Sequence, residues 1–94
     1  MVSYRMRVRQ DTYLWGGASI THQLKSSLYL HFRVDDTGEA LRFGIRKTNQ
    51  AQPVEMGTLR PGECFTLHLQ DIAGVWAAVA DPLDTQVDCT IIGP

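Results

Sequence analysis

The residues whose chemistry could support catalysis are few, and their spacing matches no catalytic motif. Ser19 and His22 are close in sequence beside a pair of glycines, but the segment lacks the G-x-S-x-G spacing of a serine nucleophile turn. Nothing in the sequence identifies an acid that would orient the histidine. There is also no phosphate-binding glycine loop, no dinucleotide-binding fingerprint and no H-E-x-x-H sequence. We therefore expect that the protein is not an enzyme.

The possible metal ligands do not have the spacing of a metal site. Cys64 and His68 are four residues apart, which on a strand puts them on one face but about 13 Å apart, too far to share a metal ion. His22, His31 and His68 could come together only through folding. Cys64 and Cys89 each fall within a predicted strand, where a reduced cysteine behaves as a small buried hydrophobe, although two cysteines also allow one disulfide. We expect no metal site and no cofactor.

Three arginines alternate along the first predicted strand. In VSYRMRVR, Arg5, Arg7 and Arg9 share one face and the apolar side chains share the other. Such a face could contact phosphates, but the chain has 9 Lys and Arg against 10 Asp and Glu, so nucleic acid is not the favoured partner. The pattern is more typical of a solvated sheet or of a protein interface, where arginine is preferred over lysine.

The best candidate for a binding site is the aromatic segment TYLWGG. It places Tyr13, Leu14 and Trp15 beside flexible glycines in a long predicted connection, residues 10–27. Three interpretations stay open. The side chains cap the core, anchor a protein partner, or stack on a sugar in a carbohydrate-binding module, in which case Tyr29 would join Tyr13 and Trp15.

The rest of the sequence predicts strands rather than helices. Apolar residues alternate with polar ones, which is the period-two pattern of a strand with one buried face, and Gly, Pro and Asp turns separate the runs. In the turn LRPGE, Gly62 tolerates a positive φ angle. The runs with strand character are residues 2–9, 28–34, 41–47, 53–57, 64–69, 75–80 and 86–92.

These runs predict the fold class. About seven short strands indicate a single all-β domain spanning residues 1–94, a small antiparallel β-sandwich or barrel that is Ig-like or jelly-roll-like. Residues 28–34 and 41–47 should form a hairpin. Trp76 should lie in the protein core, on a strand that is covered on both faces. No run of about 18 apolar residues predicts a membrane helix, and the N-terminal residues lack the apolar region of a signal peptide.

The last two fifths of the chain resemble a known group of proteins. The stretch LRPGECFTLHLQDIAGVWAAVADPLDTQVDCTIIGP is similar to the C-terminal half of small tailed-phage virion β-sandwich proteins, and the similarity covers residues 57–94. Decoration, cement and fibre-associated proteins share this ending. The resemblance implies a non-enzymatic structural protein of the virion, most simply a capsid decoration or cement protein that docks on the major capsid protein. It also implies self-association, and assembly in the host cytoplasm, where thiols stay reduced.

An interaction surface can be predicted from the same residues. The basic residues are concentrated in the first half of the chain and the acidic residues in the second, so the two halves could meet across subunits and guide their register. We expect a homo-oligomer or lattice component, held through residues 10–27, with Tyr13, Leu14 and Trp15 exposed, and through the face that carries Arg5, Arg7 and Arg9.

Overall fold

The computed structural model describes residues 2–16, 28–80 and 82–93, and within them the chain forms eight β-strands. No helix occurs in these residues, so none is long and apolar enough to cross a membrane. The strands are β1 (Val2–Val8), β2 (Thr12–Gly16), β3 (Tyr29–Val34), β4 (Leu41–Lys47), β5 (Val54–Leu59), β6 (Cys64–His68), β7 (Ile72–Ala78) and β8 (Thr85–Ile92).

The strands form two four-stranded antiparallel sheets. Sheet I has the order β1-β8-β3-β6, and sheet II has the order β2-β7-β4-β5. Strand pairs are therefore nested, because the first strand pairs with the eighth, the second with the seventh, the third with the sixth and the fourth with the fifth. This order is the jelly roll, a double Greek key. The predicted all-β sandwich is confirmed, and of the two architectures considered it is the jelly roll.

One strand lies where the sequence predicts a loop, and one predicted strand pairing is wrong. The described residues form eight strands against about seven predicted, because β2 lies within the predicted long connection. The predicted hairpin between β3 and β4 also does not form, since β3 pairs with β6 and β8 while β4 pairs with β5 and β7. The connection between β3 and β4 instead crosses from sheet I to sheet II. The inner faces of these strands then pack on each other, with the rings of Phe32 and Phe43 5.5 Å apart.

The core lies between the sheets and follows the period-two pattern of the sequence. In β3, Leu30, Phe32 and Val34 are fully buried, while the residues between them face outward. In β8, four residues at alternate positions are buried, from Thr85 to Ile91. Phe65 completes an aromatic cluster that joins the sheets, because its ring contacts those of Phe32 and Phe43.

The turn between β5 and β6 forms as predicted. Gly62 has a φ angle of +84°, a region that L side chains rarely adopt. The backbone N–H of Glu63 donates to the carbonyl of Arg60, and that of Gly62 donates to the carbonyl of Val34. The second bond ties the turn to the end of β3, so β6 enters sheet I in register with it.

Candidate functional site

The outer face of sheet I carries two of the predicted arginines. Arg5 forms ion pairs with Asp88 at 3.3 Å and with Asp35 at 3.4 Å, and Arg7 lies 3.9 Å from Asp84. These contacts exist because β1 runs antiparallel to β8, which brings the basic start of the chain beside its acidic end. The two halves therefore meet within one chain, and the charge asymmetry gives no support to contact between subunits.

Arg9 lies beyond the end of β1, in the turn to β2. Its backbone N–H donates to Oγ1 of Thr12 at 3.3 Å, and its carbonyl accepts a hydrogen bond from the N–H of Val79. The strand ends at Val8, so the predicted three-arginine face has two members on the strand and one in the turn beside it. The role of all three in docking stays a prediction.

The predicted exposure of the aromatic segment is wrong for two of its three residues. Leu14 is fully buried and Trp15 is 3 % exposed, whereas Tyr13 is half-buried on the outer face of sheet II. The segment is β2, paired with β7, and a β-bulge lies between Tyr13 and Trp15. A bulge inserts one extra residue into a strand, and here two successive residues are buried. Leu14 and Trp15 therefore cap the core, and neither is available to anchor a partner or a sugar.

The predicted position of Trp76 is also wrong, because its ring is half-buried on the outer face of sheet II. It lies directly opposite Tyr13 on one side and opposite Gly44 of β4 on the other. Its indole N–H donates to a carboxylate oxygen of Asp11. The guanidinium of Arg42 lies 5.6 Å from the ring centre, within cation–π range. The outer face of sheet II therefore carries an aromatic pair, Tyr13 and Trp76.

An open pocket of about 480 Å³ lies over this pair. Of the residues that the structure describes, seven from three separate segments line it: Gln10, Asp11, Tyr13, Gln52, Pro53, Glu55 and Trp76. We call these residues the aromatic pocket. Gly44 lies directly opposite Trp76 on β4 and lets β5, which carries Glu55, approach closely. A Cβ there would lie within 3.0 Å of backbone atoms of Val54 and Glu55, so the approach of β5 requires glycine.

The two carboxylates of the aromatic pocket are already paired. Asp11 accepts the indole hydrogen bond, and Glu55 accepts a hydrogen bond from the Arg42 guanidinium at 3.1 Å. Arg42 itself is not among the lining residues. The pocket thus combines two aromatic rings with amide and carboxylate groups; Arg42 balances the charge of Glu55, whereas the indole partner of Asp11 is neutral.

The two cysteines occupy opposite faces of sheet I and are both free thiols. Cys89 is buried, and burial raises the pKa of its thiol to about 12. Burial also raises the pKa of Tyr4, its neighbour on β1, well above the usual range, and the Tyr4 hydroxyl donates to the carbonyl of Leu14 at 2.6 Å. These are inert core groups, since a reactive cysteine needs a lowered pKa. Cys64, expected to be buried, is exposed on the outer face.

The histidines of the described residues do not meet at a metal site. His31 Nδ1 is 2.8 Å from Oγ1 of Thr66, and His68 stacks on Tyr29 with ring centres 4.7 Å apart. No group of three or more His, Cys, Asp or Glu in residues 2–16, 28–80 and 82–93 could hold a metal ion. Ser19 and His22 lie outside the described residues. The carbohydrate site predicted from Tyr13, Trp15 and Tyr29 does not assemble, because Trp15 is buried and Tyr29 belongs to the other sheet.

Comparison with known proteins gives no relative: no family model, no curated protein and no solved structure matches this chain. No match supports the resemblance of residues 57–94 to virion proteins, which stays a prediction from the residues of that stretch. The virion role, the capsid partner and the absence of enzymatic activity stay predictions.

Proposed function

We propose that the chain is a non-enzymatic structural protein of a phage virion, a capsid decoration or cement protein that docks on the major capsid protein through the outer face of sheet I. The observation that carries the docking surface is an exposed apolar group at one end of this face. Tyr29 of β3 lies directly opposite Ile92 of β8 and opposite His68 of β6. Tyr29 and Ile92 are each 43 % exposed, so both offer apolar area to a partner.

The charges of the same face favour a protein partner over nucleic acid. Arg5, Arg7 and Arg33 are its arginines, and each lies within 4 Å of at least one carboxylate. A phosphate backbone is bound by displacing counterions from uncompensated basic groups. Here the carboxylates already neutralise the guanidinium groups. A neutral surface with an apolar end is instead typical of a protein interface.

The size of the face supports a repeated rather than a single contact. Four strands spaced about 4.8 Å apart and about 24 Å long present roughly 450 Å². A stable protein–protein interface buries about 800 Å² on each partner. One face of one domain therefore binds weakly, and a homo-oligomer or a lattice adds strength through multivalency.

The presence of the chain in virions is tested by mass spectrometry of phage particles purified from the source strain. Trypsin cleaves after Arg33 and Arg42 and releases the peptide VDDTGEALR. We expect this peptide in banded particles at a fixed ratio to the major capsid protein. If the protein is expressed during phage growth but absent from the particles, the proposal is wrong.

The docking surface is tested with a matched pair of variants. Ile92→Asp puts a charge on the outer face of sheet I, and Val54→Asp puts the same charge on β5 of sheet II, at a position that is 53 % exposed. Both variants should fold, as judged by circular dichroism. On particles produced without the chain, Ile92→Asp should lose binding and Val54→Asp should bind like the wild type. Equal binding by both variants would exclude this face as the docking surface.

A further inference from the structure

The aromatic pocket is separate from the proposed docking face, because it lies on the outer face of sheet II. Its floor is the cross-strand pair of Tyr13 and Trp76, both half-buried. The side chain of Trp76 is held at two points, since its indole N–H is bonded to Asp11 and Arg42 lies beside the ring. A ring held in this way keeps one orientation at little entropic cost, which is the condition for a preorganised site.

We propose that the aromatic pocket binds a neutral saccharide. Its volume of about 480 Å³ falls within the range of roughly 300–1,000 Å³ for small-molecule sites. Aromatic rings present flat apolar area to the C–H face of a sugar. The amides of Gln10 and Gln52 each supply both donors and acceptors to hydroxyl groups.

The charges around the pocket argue against anionic ligands. Among the described residues no lysine or arginine lines it, so an anionic ligand would meet carboxylates without one of these cations in contact. A cation such as a quaternary ammonium would suit two aromatic rings but also needs unpaired negative charge. Glu55 is paired with Arg42, but Asp11 is bonded to the neutral indole of Trp76 and keeps its charge, so cation binding is the competing outcome of the test below. A neutral polyol needs neither a cation nor an unpaired negative charge in the pocket.

The chain contains two tryptophans, which provide an internal control for the test. In a ¹H–¹⁵N correlation spectrum of the whole protein, the indole signal of Trp76 reports on the aromatic pocket and that of buried Trp15 does not. We would titrate galactose, glucose, mannose and N-acetylglucosamine, and short oligomers of each, to about 50 mM. Because the pocket is open, we expect dissociation constants of about 1 mM. At least one sugar should shift the Trp76 signal saturably and leave that of Trp15 unchanged.

Two variants and one control locate the site. Tyr13→Ala should weaken binding by about tenfold or more, and Tyr29→Ala, which removes the exposed tyrosine of the other sheet, should leave it unchanged. Gln52→Ala changes only an exposed side chain of a connection, so it keeps the test available if Tyr13→Ala does not fold. It should weaken binding severalfold.

Three results would overturn the proposal. The first is no saturable shift of the Trp76 signal with any sugar of the panel. The second is binding that Tyr29→Ala weakens as much as Tyr13→Ala does. The third is tighter binding of choline or trimethyl-lysine than of every sugar, which would make the pocket a cation site. None of these results depends on whether the protein is found in virions, so the pocket and the docking face are tested separately.

Discussion

The two tryptophans should contribute very differently to stability, in the order opposite to that expected from the sequence. Trp15 is 3 % exposed and packs in the core, and Trp76 is half-buried on the surface. A fully buried tryptophan removes up to about 250 Å² from water, which at about 25 cal/mol per Å² is an upper limit of about 6 kcal/mol. Measured costs of Trp→Ala in cores are about 3–5 kcal/mol, and we expect Trp15→Ala to fall in this range.

Trp76→Ala should cost only about 1–2 kcal/mol. It buries about half as much area, and water can fill the space that truncation opens on the surface, so no enclosed cavity adds to the cost. The cation–π contact with Arg42 contributes about 0.5–1 kcal/mol of this amount. A domain of 94 residues has a total free energy of unfolding of about 5–14 kcal/mol. Trp15→Ala therefore removes a large part of the stability and Trp76→Ala a small part.

Urea denaturation of the two alanine variants measures these costs, provided that both transitions are two-state. A second measurement uses the single-tryptophan variants Trp15→Phe and Trp76→Phe. Acrylamide should quench the fluorescence of Trp76 several times more strongly than that of Trp15. If the two alanine variants lose equal stability, or if Trp15 is the more easily quenched residue, then the burial of β2 and the assignment of Trp76 to the pocket are both wrong.

Three further predictions concern the thiols and the glycines. A thiol reagent at pH 8 should modify Cys64 rapidly and Cys89 only on unfolding, because Cys64 is exposed and Cys89 is buried with a pKa of about 12; two equally fast thiols would contradict this. Since the thiol of Cys89 ionises near pH 9.0 when unfolded, its contribution to stability is complete below pH 9 and is lost as the pH rises toward 12; urea midpoints at pH 8, 10 and 11 should fall less steeply in Cys89→Ala than in the wild type. Gly44→Ala should lower the free energy of unfolding by about 1–3 kcal/mol, because the new Cβ meets the backbone of β5. Gly57→Ala should be tolerated, because its Cβ would be no closer than 3.7 Å to the Phe43 ring. Thermal melts of both variants measure the difference.

The sequence predicted the parts of the fold that depend on local alternation. Leu30, Phe32 and Val34 are buried because a strand with one solvated face places every second side chain inward. The bulge in β2 breaks that rule, since Leu14 and Trp15 are neighbours and both are buried. Beside two glycines, such a segment has the composition of a loop, so its strand character becomes visible only when β7 is known to pair with it.

The aromatic pocket could not be predicted for a related reason. The run VWAAVA that contains Trp76 is apolar at every position, so alternation does not tell which face the indole occupies. The lining residues come from the start of β2, from β7 and from the connection into β5, which are brought together only by the strand order of sheet II. The sequence contains one signal of the close approach of β5. Gly44 lies between the outward-facing residues Arg42 and Arg46 of β4, and a glycine inside a strand often marks a bulge or a close approach of backbone.

The position of β8 determines when the domain can fold. β8 lies between β1 and β3, and among the strands of the described residues β1 pairs in sheet I with β8 alone. β8 is synthesised after the other seven described strands. Until then, the edges of β1 and β3 that pair with β8 remain unpaired. Pairing of Val2 with Ile91 spans almost the whole described sequence, and such non-local contacts form slowly. Unpaired strand edges are templates for pairing with other chains. A chain that is interrupted before Thr85 therefore leaves the edges of β1 and β3 unpaired, and the β8 segment of another copy could pair with them.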